Sequence, residues 1–249
     1  MALQSSGQIS LNDIHVEAGG SSGSLCEIND SDIRGLISKS SGAQMAFNEW
    51  YGASSSITAT LRQGSTSSTS FTLSGLSSSA TTLIAGVYFW HEDVYGQGSA
   101  PVPSVNGNNM TRDVYRHATF SNETQYISFY RYYIGTSTSV TMGRSGAPTG
   151  GWNSQGMGIW ECTGNISASS TSTAGSYYAS SISMSANAGD VVFVGAAHNW
   201  SAPSDISNLD SQQGAGQHKF GVDMKSSSGS VTYSTSQTVG GLAAVRYTP

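Results

Sequence analysis

The sequence predicts a mainly β protein, an antiparallel β-sandwich or jelly-roll-like domain preceded by a small N-terminal α+β docking module. Three observations predict it. After residue 53 short runs of β-branched and aromatic residues recur between clusters of Ser, Thr, Gly and Asn, with no helical periodicity. No repeat of 20–50 residues is visible, which disfavours a propeller or solenoid. Before residue 54 the chain has no proline and holds two short helix-like patterns. The boundary therefore falls between residues 1–53 and 54–249.

In the first segment, residues 8–14 alternate polar and apolar and read as a short strand. Residues 29–37 read as a helix of about two turns. Asn29 or Asp30 caps it, Asp32 suits its positive end, and Ile33, Leu36 and Ile37 share a face, with Gly35 weakening it. Residues 44–51 read as a second helix, stopped by Gly52. A unit near the ~40-residue limit of independent folding is expected to pack against the rest of the chain, a sister subunit or a docking surface. Its candidate docking residues are Ile9, Leu11, Ile14, Ile33, Leu36, Phe47, Trp50 and Tyr51.

Strands are expected over 57–62, 70–73, 83–90, 114–120, 126–134, 139–142, 158–162, 181–185, 191–197, 220–225, 231–234 and 242–247. The run 83–90 is nearly all apolar, as in a central strand covered on both faces. In 126–134, Ile127, Phe129, Arg131 and Tyr133 share one face and Tyr126, Ser128, Tyr130, Tyr132 and Ile134 the other. Asn106-Gly107 is the strongest hairpin signal. Residues 143–156, 163–180 and 199–218 read as long loops bearing Trp152, Tyr177, Tyr178 and Trp200, which are the candidate glycan- or receptor-binding residues.

Composition excludes several functions. With 10 Lys+Arg and a net charge of -5 there is no basic stripe for nucleic acid. No run approaches the ~18 apolar residues of a membrane span, and the N-terminal stretch lacks the charge and apolar core of a secretory signal. Cys26 and Cys162 sit outside any Cys/His cluster, so neither a zinc site nor any other cofactor is expected.

Candidate chemistry is sparse. Glu92 and Asp93 follow an apolar strand beside His91, but adjacent strand residues point to opposite faces, so they form a glycosidase pair only if the chain turns there. Glu161 beside Trp160 suits sugar binding or an ion pair with Arg131 or Arg144. His198 with Ser201 and Asp205 lacks a nucleophile elbow. Asn106, Asn108, Asn109 and Asp113 offer oxygen ligands in a spacing that matches no calcium loop. No catalytic residue and no metal ligand is assigned.

One resemblance is specific. Ser6-Gly7 with Ile9-Ser10-Leu11-x-Asp13-Ile14, the stretch from Glu17 to Gly20, Ile28-Asn29-Asp30-x-Asp32-Ile33-Arg34, and Phe47-x-Glu49-Trp50-Tyr51-Gly52 together resemble an N-terminal module of tailed-bacteriophage virion structural proteins, especially marine and cyanobacterial phages. It covers about a fifth of the chain. The resemblance implies a virion component, assembled in the host cytoplasm and exposed on the particle. Such proteins are often tail fibres or baseplate-associated, and the resemblance carries no catalytic role. The expected partners are other virion proteins, further copies of the chain, with a trimer as the first expectation, and host cell-surface polysaccharide. The alternatives are a capsid decoration or head-fibre protein and, behind it, a polysaccharide-degrading enzyme.

Overall fold

The computed structural model describes residues 3–4, 6–37, 39, 41–51, 53, 56–78, 81–92, 101–120, 123–145, 153–164, 166–174, 179–198 and 203–248. The chain divides into two units, Met1–Ser56 and Ile57–Thr248.

In the first unit the strand expected over residues 8–14 is a helix instead, α1 (Leu11–Glu17). Ser10 is the reason. Its hydroxyl accepts from the Asp13 N–H at 3.1 Å while the Asp13 carboxylate accepts from the Ser10 N–H at 2.8 Å. This reciprocal cap satisfies free donors at the helix start. Ile9 and Leu11 imitate a strand alternation, but Ile14, three residues past Leu11, is the residue that buries. The second helix, α2 (Ser31–Gly35), is shorter than expected. The helix expected over 44–51 is only a 3-10 turn, Phe47–Trp50, whose Glu49 carboxylate accepts from the Ala46 N–H at 2.8 Å. No strand occurs among the described residues of this unit. Its core is Leu3, Ile14, Ile33 and Trp50. The Trp50 indole N–H donates to the Ile33 carbonyl at 3.0 Å, so the ring's polar atom is satisfied inside the core.

The second unit is mainly β, and its strands pair antiparallel throughout. One five-stranded sheet runs, in spatial order, β1 (Ala59–Thr66), β9 (Asn153–Thr163), β3 (Thr81–Glu92), β7 (Glu123–Gly135) and β6 (Thr111–Phe120). A second runs β10 (Ser167–Ala174), β16 (Gly241–Thr248), β12 (Val191–Ala197), β14 (His218–Met224) and β13 (Ser211–Ala215). A four-stranded sheet holds β2 (Ser70–Ser74), β8 (Ser139–Ser145), β4 (Val102–Val105) and β5 (Asn108–Asn109). A two-stranded ribbon pairs β11 (Ala179–Ala186) with β15 (Gly229–Val239).

Three hydrophobic clusters order these sheets into layers. Ile84, Tyr88, Phe129 and Trp160 of the first sheet meet Phe193, Phe220, Val245 and Tyr247 of the second. The opposite face of the first sheet, with Leu83, Val87 and Ile159, packs on Leu73, Val105 and Met142 of the four-stranded sheet. The opposite face of the second, with Val192, Val194 and Leu242, packs on Ile182, Met184 and Tyr233 of the ribbon. Both central strands are thus buried on both faces, which is why residues 83–90 of β3 and the whole of β12 are almost entirely apolar. Gly86 and Gly195 give the aromatic core its room. A Cβ on Gly86 would fall 2.8 Å from the Phe220 ring, and one on Gly195 would fall 2.7 Å from Ile127.

The strands absent from the sequence reading lie mostly at sheet edges. β10 and β13 fall inside the expected loops 163–180 and 199–218. The Asn106-Gly107 turn joins β4 to β5 with φ values of 50° and 81°, as a tight hairpin needs. Pairing irregularities interrupt the edge strands β1, β6 and β10, and the remaining edge, β13, is five residues long. Neither cysteine is in a disulfide: Cys26 is half-buried and Cys162 is buried. No helix among the described residues is long and apolar enough to cross a membrane.

Candidate functional site

The best-defined candidate site grows from an arginine on the inner face of β7. Arg131 stands beside Ile84 of β3 in register, where an apolar side chain is the ordinary occupant. Such an arginine needs a buried acid, and an irregularity in β6 between Arg112 and Val114 supplies Asp113. The Arg131 Nε donates to the Asp113 carboxylate at 2.9 Å, and its Nη1 donates to the Ile166 carbonyl at 3.4 Å. The Tyr247 hydroxyl donates to the other Asp113 oxygen at 2.8 Å. Burial, followed by the Asp113 charge, raises the Tyr247 pKa well above the ordinary tyrosine range, so the phenol stays a donor.

This network fixes the guanidinium while leaving its side chain 31% exposed. It looks into a cavity of about 300 Å³ lined by Asn109, Thr111, Tyr132 and Tyr133. Tyr133 is 46% exposed. An exposed tyrosine beside amide, hydroxyl and guanidinium groups can stack on the C–H face of a sugar ring and bond its hydroxyls. Pre-orientation of Arg131 by Asp113 lowers the entropy lost on binding.

A second aromatic group lies on the opposite face of the same sheet, on β3, β6 and β7. The His117 ring stacks on Tyr126 at 5.0 Å, Tyr115 lies 5.7 Å from Tyr126, and Phe89 lies 5.9 Å from it. The Arg112 guanidinium sits 4.8 Å over Tyr115. Burial lowers the His117 pKa and raises that of Tyr126. These rings mostly cover one another, which makes the row a brace for the edge strand.

The buried acids of the β unit are held in ion pairs. Glu161 pairs with Arg62, across the β1–β9 ladder, and accepts from the Ser77 N–H at 2.7 Å. The expected partners of Glu161 are therefore corrected: Arg131 serves Asp113, and Arg144 donates to the Ser67 carbonyl at 2.7 Å. The sugar-binding pairing of Glu161 with Trp160 is also overturned. They face opposite sides of β9, and Trp160 is in the aromatic core. Asp223 accepts from Tyr233 at 2.7 Å and pairs with Lys225 at 3.1 Å. Asp190 pairs with Arg246 at 3.6 Å and accepts from the Asn187 N–H. The Cys162 thiol is pushed far up by burial and by the neighbouring Glu161 charge, which keeps it protonated. Among the described residues no three His, Cys, Asp or Glu side chains are grouped to hold a metal.

The sequence-expected glycan-binding residues Trp152, Tyr177, Tyr178 and Trp200 lie outside the described residues, as do Asp93 and Ser201. Glu92 ends β3 opposite Glu123. Of the docking candidates, Ile14, Ile33 and Trp50 form the core of the N-terminal unit, and Ile9, Leu11 and Leu36 pack against it. Phe47 and Tyr51 are exposed. The Asn106 side chain, weighed as a cation ligand, instead accepts from the Thr141 N–H at 2.8 Å. The Arg131–Tyr133 cavity was missed because its lining comes from separate strands; the signal available was an arginine on a core-facing strand position. No family model, no curated protein and no solved structure matches the chain.

Proposed function

We propose that the chain is a structural component of a tailed-phage virion, tail-associated in a fibre, collar or baseplate. It docks through the N-terminal unit, and its β unit, a jelly-roll-like sandwich, binds host surface glycan. The Arg131–Tyr133 cavity is the observation that carries the binding part. The virion part is supported by the phage-like motifs of residues 6–52, which fall within a unit that has a core of its own. The paired state of the buried acids favours a binding role over a polysaccharide-degrading one, since a glycosidase needs two carboxylates free to face one sugar bond.

Gold-labelled antibody against the chain, applied to particles of the phage that encodes it, is expected to mark the tail. Unlabelled particles would sink the virion reading. Label over the head in hundreds of copies would shift it to the capsid decoration or head-fibre alternative. Light scattering is expected to give a trimer of the 25.9 kDa chain, and a single-chain mass counts against it. For the glycan, Tyr133→Ala is expected to weaken binding to host envelope polysaccharide, and unchanged binding removes this cavity from the reading. New reducing ends in that polysaccharide would favour an enzyme.

A further inference from the structure

The N-terminal unit carries six acids, Asp13, Glu17, Glu27, Asp30, Asp32 and Glu49, against two bases, Arg34 and Lys39. Its net charge is −4, which leaves −1 for all residues after Ser56. Both bases are engaged within the unit. Lys39 pairs with Glu49 at 2.7 Å, and Arg34 donates to the Asn29 carbonyl at 2.7 Å and the Lys39 carbonyl at 3.5 Å.

The same unit leaves apolar side chains in water. Val16 is 44% exposed, Phe47 45% and Leu25 97%. Beside α1 a groove of about 480 Å³ has Leu3, Ile9 and Val16 among its walls, with the acids Asp13 and Glu17 lining it as well. Of the three exposed apolar side chains Val16 lines this groove, beside the partly exposed Ile9, and exposed apolar surface in a groove marks an interaction site. The surplus of negative charge fixes what kind of partner fits, because like charge repels and opposite charge steers association.

We propose that this groove receives a segment of a second protein in which aliphatic side chains are flanked by lysine or arginine. The inference rests on the docking reading above and adds the chemistry of the docking partner. The aliphatic side chains cover Ile9 and Val16, and the cations meet the exposed Asp13. Nucleic acid and anionic lipid are repelled by the unit's charge. A second copy of the same unit brings the same −4 and is disfavoured for the same reason.

The test titrates the full chain with three short synthetic peptides at physiological salt, read by calorimetry. One alternates leucine and lysine in pairs, the second has each lysine replaced by glutamate, and the third has each leucine replaced by serine. The first peptide is expected to bind roughly tenfold or more tighter than either control, about 1.4 kcal/mol or more. Val16→Asp is expected to remove most of that binding. Asp13→Asn keeps an oxygen for the Ser10 cap and is expected to weaken binding and flatten its salt dependence. The Trp50 indole N–H resonance, held by the Ile33 carbonyl, reports that each variant is folded. Equal binding of the leucine and serine peptides, or no binding of the first, overturns the proposal. Gold label on the particle with no peptide binding removes the partner chemistry and leaves docking standing. Peptide binding with unlabelled particles keeps the groove and removes the virion role.

Discussion

In the N-terminal unit, four buried residues, Leu3, Ile14, Ile33 and Trp50, hold together some fifty others, aided by two short helices and a 3-10 turn. In the β unit, both five-stranded sheets have hydrophobic clusters on each face, and the aromatic residues Phe129, Trp160, Phe193 and Phe220 interlock at ring-centre distances of 5.4–6.3 Å. The same serine-rich composition thus supports two regimes. In the layered sheets each central strand is covered on two faces, so the burial is shared among many residues. A small helical unit has only one side to cover and depends on single residues.

The comparison breaks first at Trp50. At about 0.05–0.15 kcal/mol per residue, a unit of this length is worth roughly 3–8 kcal/mol. Trp50→Ala costs about 3–5 kcal/mol and also leaves the Ile33 carbonyl without its donor. It is expected to unfold the N-terminal unit alone, seen as loss of dispersed amide resonances from residues before 57 with those of the β unit unchanged. Phe220→Ala removes a ring that touches Phe129, Trp160 and His218. The same ~3–5 kcal/mol is expected to lower the urea midpoint of the β unit without unfolding it in buffer. If both substitutions unfold only their own unit, the two regimes are not distinct in the way described.

A smaller effect sharpens the contrast through pH. His218 stacks on Tyr88 at 4.7 Å, and burial depresses its pKa to about 4. The folded state therefore holds the imidazole neutral where the unfolded chain, near ~6.5, takes up a proton. Stability is expected to fall as pH drops from about 6.5 to 4 and to be unaffected by this group above that window. His218→Leu is expected to flatten that fall in urea titrations of the β unit, whereas an unchanged slope assigns the acid sensitivity elsewhere. The smallest change is at Ser10. Ser10→Ala removes the cap of α1 and is expected to cost about 1 kcal/mol, measurable as a lower midpoint for the N-terminal unit only.

Much of this was legible in the sequence where burial writes a pattern. The apolar run within β3 announces cover on both faces, and β12 shows the same. The alternation in β7 assigns Ile127 and Phe129 to one cluster and Tyr130 to another, as found. The edges of the second five-stranded sheet were not legible. β10 reads SASSTSTA and β13 reads SQQGA, strings without a large apolar residue, because an edge strand is held by its neighbour's hydrogen bonds. The Glu161–Arg62 and Asp113–Arg131 pairs also escaped, since each joins residues on neighbouring strands through a local shift in register. At Ser10 the short-range alternation favoured a strand, and the reciprocal cap with Asp13 outweighed it.

The irregular rims of the two large sheets have a consequence for crowding. Three of their four outer strands are kinked by pairing shifts, and the fourth ends after five residues. A flat, regular rim would template the addition of another chain's strand; these rims offer a newcomer an interrupted or short ladder. Many copies can therefore be held side by side at high local concentration without zipping into a continuous fibril, so that any ordered association must come from dedicated contacts.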